Sequence, residues 1–157
     1  TLTTYDEELC RKIEPHVSTT RERFEVLMRC KELGIPTLVW MTPILPFIND
    51  TRENIEGLLD YCLLAGVQGI LVFDVGVTLR EGDREYFYQA LDRDFPSIRQ
   101  KYISTYGNAY DIPSPYAKEL MALIQNTCVA NGMLCSPKEC FTYLHEFPER
   151  YVQQTLF

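Results

Sequence analysis

The sequence predicts an α/β fold in which three parallel strands joined by crossover helices lead into a helical carboxy-terminal extension. Three observations predict it: two continuous apolar runs of strand length, an amphipathic helical pattern before each of them, and a change at Gly82 from alternating elements to successive helices. A strand, helix, strand unit that recurs at about thirty-residue spacing makes a parallel sheet with right-handed crossovers, either open and doubly wound or curved into a barrel. Both arrangements put their chemistry at the carboxyl ends of the strands.

Residues 1–4 read as the tail of a strand, and a chain that opens in mid-strand is expected to have sequence before it. Residues 6–13 form a short helix or turn. Thr19 with Glu22 makes a capping-box pattern, and Phe24, Leu27 and Met28 recur at helical spacing until Gly34, so a helix is predicted over 20–33. The mostly apolar run 36–45 has the signature of a strand buried on both faces. Asn49 and Asp50 offer caps to a helix that sets Ile55, Leu58, Leu59, Cys62 and Leu63 on one stripe and stops at Gly66. Residues 69–73 are the next buried strand. Helices then follow over about 84–94, 97–105, 115–130 and 137–145, with Ser114 before Pro115 and Ser136 before Pro137 as N-cap signatures. This tail is expected to cover one edge of the sheet. With no further repeat, low-complexity tract or flexible linker, one compact unit is the simplest organisation.

The 157 residues are 46% hydrophobic and 24% charged, an ordinary globular balance with room for a core. No run approaches the roughly 18 apolar residues of a membrane span, and the first residues have no signal-peptide pattern. The reading is a cytoplasmic chain with no membrane partner. A net charge of −7 argues against a nucleic-acid surface built from this chain alone, since such affinity comes largely from Lys and Arg at phosphates. Six cysteines, in a chain without secretory context, are expected to be reduced.

Polar residues at strand ends are the first candidates for binding. Thr3 and Thr4 follow the first strand, Thr42 and Asn49 lie near the second, and Asp74 follows the third. On one rim they can hydrogen-bond a ligand, or they can serve as caps and loop solvation; the sequence leaves both open for Thr4, Thr42 and Asp74, and favours capping for Asp50 and Thr51. Glu14 and Arg23 suit a structural ion pair that pins the loop after the first strand. The loop 74–86, made flexible by Gly76 and Gly82, holds Thr78, Arg80 and Arg84. A guanidinium there suits a carboxylate or phosphate, a role assigned to Arg80 ahead of Arg84, while Glu81, Asp83 and Glu85 are alternative partners.

Cys128, Cys135 and Cys140, with His145 beyond, lack the tight pairs of a zinc site and number only three thiols. Cys128 continues the stripe of Leu120, Leu123 and Ile124, which makes it a packed thiol, and no metal ligand is assigned. No phosphate loop, nucleophile elbow or His-Glu-x-x-His occurs, and the two histidines stand without a nucleophile. No residue is assigned as catalytic.

The succession Thr-Thr-x-Asp-x-x-Leu at Thr3 to Leu9, Glu14-Pro15, Arg23, Gly34-Ile-Pro-Thr, Pro43-Ile-Leu-Pro-x-Ile-Asn-Asp and the loop 76–88 resembles radical S-adenosylmethionine proteins of the spore photoproduct lyase type. The resemblance covers essentially the whole chain. It implies half of a partial (β/α) barrel of six strands over residues 1–95, whose three strands are the family's fourth to sixth, a helical extension over 96–152 packed on the same unit, and an extended tail over 153–157. It also implies a [4Fe–4S] cluster on a Cys-x-x-x-Cys-x-x-Cys loop, which this chain lacks, so the missing upstream half is the expected partner and the fragment alone is expected to be inactive, with no cofactor stably bound. S-adenosylmethionine would be cleaved to a 5′-deoxyadenosyl radical, in a lyase acting on a DNA lesion.

By position, Thr3 and Thr4 would approach the ribose or methionine moiety, the segment from Pro43 to Asn49 would flank the adenine, Thr42 before it is a further cofactor-binding candidate, and Phe73 and Asp74 would line the sixth-strand side. Arg80 is placed on the rim by position alone. The thiol that returns hydrogen to the product radical would lie outside this chain.

The last residues, Gln153-Gln-Thr-Leu156-Phe157, resemble the peptide with which bacterial repair and replication proteins bind the sliding clamp. Leu156 and Phe157 folded back on the domain are the alternative. An α/β scaffold with a clamp-binding tail is accordingly the second functional reading, and a sugar- or phosphate-pathway barrel with an anion site at Arg80 the third. A half barrel also exposes a strand edge, through which a homodimer is expected.

Overall fold

Four of the described helices start on a side-chain cap. The computed structural model describes residues 1–146. Helix α1 (Glu7–Ile13) is capped by Asp6, whose side chain accepts from the Leu9 N–H at 2.6 Å. Both halves of the capping box form at α2 (Thr20–Glu32): the Thr19 hydroxyl accepts from the Glu22 N–H, and the Glu22 carboxylate accepts from the Thr19 N–H at 2.7 Å. Thr19→Ala removes one half of that reciprocal pair, and urea unfolding is expected to show a loss of about 1 kcal/mol. A change below the error of the midpoint would contradict the cap's role.

Strand β1 (Leu38–Trp40) follows, and then α3 (Arg52–Ala65), whose cap is Thr51 rather than Asn49 or Asp50. After α3 come β2 (Gly69–Leu71), β3 (Gly76–Thr78), α4 (Asp83–Asp94), α5 (Ile98–Tyr106), β4 (Asp111–Pro113), α6 (Ala117–Ala130) and α7 (Pro137–His145). Ser136 caps α7 as the sequence indicates. Ser114 does not cap α6: its hydroxyl donates to Asp50 and accepts from the Tyr116 N–H.

Among the described residues the fold is mixed α/β, with seven helices holding about 53% of them and two small strand pairs. β1 and β2 are parallel, with Leu38 opposite Gly69, Val39 opposite Ile70 and Trp40 opposite Leu71. Both strands are shorter than the apolar runs that contain them. In 36–45 the chain leaves the ladder before Pro43 and Pro46, which have no N–H to give it. The expected first strand is an extended segment beside β1, joined by the Leu2 N–H to the Trp40 carbonyl at 3.0 Å. On the far side of β2, Leu134 bridges to Gly69, so the tail does cover that edge.

The pair β3 and β4 was not expected. It is antiparallel, with Gly76 opposite Pro113 and Thr78 opposite Asp111, and a Cβ on Gly76 would stand 2.5 Å from the Ile112 carbonyl oxygen. Only glycine permits that approach.

The main core lies on one face of the parallel pair. Val39, Met41, Ile70 and Val72 pack with Phe24 of α2, Ile55 and Leu58 of α3, and Leu120, Ile124 and Cys128 of α6. A second cluster joins Leu79, Tyr88, Leu91, Tyr102 and Ile112, with Phe47 and Ile48 from the loop after β1 packed against it. It therefore spans the boundary that the sequence reading drew at residue 95. The other face of β1 and β2 carries an aromatic row, Trp40, Phe73 and Phe141, with ring centroids 5.7 and 6.5 Å apart. All three rings remain substantially exposed. No helix among the described residues is long and apolar enough to cross a membrane.

Candidate cofactor cleft at the strand ends

Where β1 and β2 end, the chain opens a cleft of about 490 Å³. Four residues expected at the rim line it together: Thr42 and Pro43 after β1, and Phe73 and Asp74 after β2. The opposite wall is the strand pair β3–β4, which contributes Thr78 and Asp111. Thr78 was named only as part of the loop 74–86 and Asp111 was missed, because their strands are three residues long and separated by two helices; the one local signal for the second was the non-helical Asp111-Ile-Pro between helical patterns. The Asp74 carboxylate accepts from the Val75 N–H at 2.7 Å, which sets its orientation and leaves its second oxygen for a ligand. The charged residues that line the cleft are Asp74 and Asp111, both carboxylates.

The other expected residues fall elsewhere. Thr4 is fully buried and its hydroxyl accepts from the Asn49 amide at 3.0 Å. Asn49, 1% exposed, also donates to the Thr3 carbonyl at 2.9 Å and accepts from the Leu45 N–H at 2.5 Å. It stitches the first segment to the loop after β1 and so holds Pro43 in place from behind the cleft. Asn54 adds a second bond to the Thr3 carbonyl and accepts from the Tyr5 N–H. The Thr3 side chain lines a neighbouring cavity, 3.5 Å from the Glu14 carboxylate. Glu14 in turn holds Arg23 at 2.8 Å, the structural pair the sequence indicated. Arg80 is exposed, donates to the Tyr110 hydroxyl at 3.4 Å, and does not line the cleft. Arg84 is committed to the carbonyls of Leu79, Gly107, Asn108 and Ala109.

Asp50 ties the same loop to the junction of β4 and α6 by accepting from the Ser114 hydroxyl at 2.5 Å. Loss of hydration pushes its carboxyl up, outweighing that hydrogen bond. A folded-state pKa above the unfolded value means that this group's contribution is full below about pH 3.8 and is lost as pH rises through the folded value. Asp50→Asn, neutral throughout, is therefore expected to gain on the parent chain in thermal stability between about pH 3 and about pH 7. Parallel curves for the two proteins would contradict this.

All six cysteines are unpaired. Burial pushes the Cys62 thiol up to about 12. Cys128 holds its proton and shares it with Cys135 in a hydrogen bond, which raises the first and lowers the second. Cys140 is buried with its sulfur 3.8 Å from the Ile70 carbonyl. No group of three or more His, Cys, Asp or Glu among the described residues is arranged to hold a metal. The clamp-like Gln153, Leu156 and Phe157 lie outside the described residues.

No family model matches the chain, and no solved structure matches it. Uncharacterized proteins of Mycobacterium tuberculosis and Mycobacterium bovis are each 30% identical to it over 115 residues, covering 73% of this chain and 33% of theirs. The chain thus matches about a third of the length of these relatives.

Proposed function

We propose that the chain is the carboxy-terminal part of a cytoplasmic radical S-adenosylmethionine enzyme of the spore photoproduct lyase type, and that the strand-end cleft holds S-adenosylmethionine. The observation that carries the reading is the lining of the cleft. A sulfonium ligand with an amino group is net cationic, and this cleft offers it Asp74 and Asp111, with Thr42 and Thr78 for hydroxyl and amide contacts and Phe73 and Pro43 as flat apolar surfaces. Its volume is in the range typical of pockets for ligands of that size, roughly 300–1,000 Å³.

What S-adenosylmethionine supplies when bound is radical hydrogen abstraction, and that chemistry belongs to the cofactors. This chain's residues would bind and orient it: Asp74 would meet the cationic end and Phe73 and Pro43 would exclude water beside the base, while Asn49 fixes the loop that presents Pro43. The described residues offer no ligand set for a [4Fe–4S] cluster, so the reading assigns the cluster to upstream chain. Two facts support such an addition. The aromatic face of Trp40 and Phe73 is uncovered, and the mycobacterial relatives extend well beyond the matched region. Any DNA contact of the whole enzyme comes from that added part as well, given the charge of −7 here.

The test is turnover. The longer protein, reconstituted without oxygen and reduced with dithionite, is expected to convert S-adenosylmethionine to 5′-deoxyadenosine and methionine. Cluster-loaded protein that leaves it intact would contradict the reading.

A further inference from the structure

We propose that a second cavity, separated from the cofactor cleft by Pro43 and Val77, binds a small molecule with an apolar body and an anionic end. Its role as the substrate compartment rests on the reading above; the binding itself does not.

The chamber measures about 310 Å³ and is more enclosed than the cleft. Ile13 and Pro15 form one wall, Leu45 and Ile48 of the loop after β1 a second, and Phe87 and Leu91 of α4 a third. Such a lining gives an apolar ligand its driving force and leaves orientation to the few polar groups at the mouth. The charges there do not cancel. Glu14 is taken by Arg23 at 2.8 Å and Asp94 by Arg93 at 2.7 Å. Lys12 forms no ion pair among the described residues, although its charge acts on Asp94; with Arg23 counted, three cations stand against the two carboxylates and the balance at the mouth is positive. An anionic group seated there would meet an ammonium, and its apolar body would fill the chamber behind.

Position gives the chamber its place in the chemistry. Pro43 and Val77 line both cavities, so a molecule in the chamber lies across these two side chains from the contents of the cleft. Hydrogen abstraction needs the donor carbon within van der Waals reach of the abstracting atom, so the substrate role requires the ligand to reach past these two side chains.

The test uses the full chain, isotope-labelled for amide NMR, and two probes of one shape. Anilinonaphthalene sulfonate carries an apolar aromatic body and an anion, and N-phenylnaphthylamine carries the body alone. Both are expected to saturate one site, with shifts centred on Ile13, Ala90 and Leu91. Lys12→Glu should weaken the sulfonate by about tenfold and leave the neutral probe unchanged. Ala90→Phe, which fills the chamber, should abolish both. Lys12→Glu lies on the exposed surface and keeps the test decisive should the filled variant fail to fold. Shifts centred on Trp40, Phe73 and Phe141, or a sulfonate affinity indifferent to Lys12→Glu, would overturn the proposal. Neither probe needs S-adenosylmethionine, so a failed chamber and a failed cofactor reading give different results.

Discussion

Asn49→Ala is expected to destabilise the chain by about 2–4 kcal/mol, because it orphans the Leu45 N–H and the Thr4 hydroxyl in the interior at about 1–3 kcal/mol each. The Thr3 carbonyl keeps its bond from Asn54 and is not left unpaired. Urea unfolding measures the change, with Arg80→Ala as the exposed comparison, expected within about 0.5 kcal/mol of the parent chain. A loss below 1 kcal/mol for Asn49→Ala would mean that the loop after β1 is held by something other than this side chain. The consequence reaches the cleft, since the same loop presents Thr42 and Pro43 to it.

Asp74→Ala in the longer protein is expected to weaken S-adenosylmethionine about 10–100-fold, the worth of one charge-assisted hydrogen bond to a cationic ligand. Asp74 is exposed at a strand end and spends one oxygen on its neighbour's N–H, so its removal should leave the thermal midpoint nearly unchanged. Equilibrium dialysis with labelled cofactor reads the affinity. Unchanged affinity with intact folding would remove Asp74 from the site, and with it the charge argument for a sulfonium ligand.

The helices were legible because their punctuation is local. Thr19 with Glu22, Ser136 with Glu139, and Gly66 are read directly from neighbours in sequence, and each does in space what its spacing implies. Strand extent was not legible: hydrophobicity runs through 36–45, but the ladder stops after Met41, whose N–H still bonds the Leu71 carbonyl, because Pro43 and Pro46 have no N–H to continue it. The β3–β4 pair left almost no trace, since alternation over three residues is too short to register.

The candidate site shows the same division. Thr42, Pro43, Phe73 and Asp74 come together because strand ends of a parallel sheet share a rim, a rule that needs only strand order. Thr4 and Asn49 satisfy the same positional rule, yet their polar atoms point into the interior and are consumed there. Position along a strand does not say which way a side chain faces when the strand frays into a loop. Ser114 carried a cap's signature and instead meets Asp50, a partner 64 residues away that no local pattern names.

The most direct test of the account is the iron content and visible absorbance of the longer protein, purified and reconstituted without oxygen, beside this chain treated identically. The account predicts about four irons per longer protein, with cluster absorbance that changes on adding S-adenosylmethionine, and no cluster on this chain alone. No cluster in either protein would contradict it.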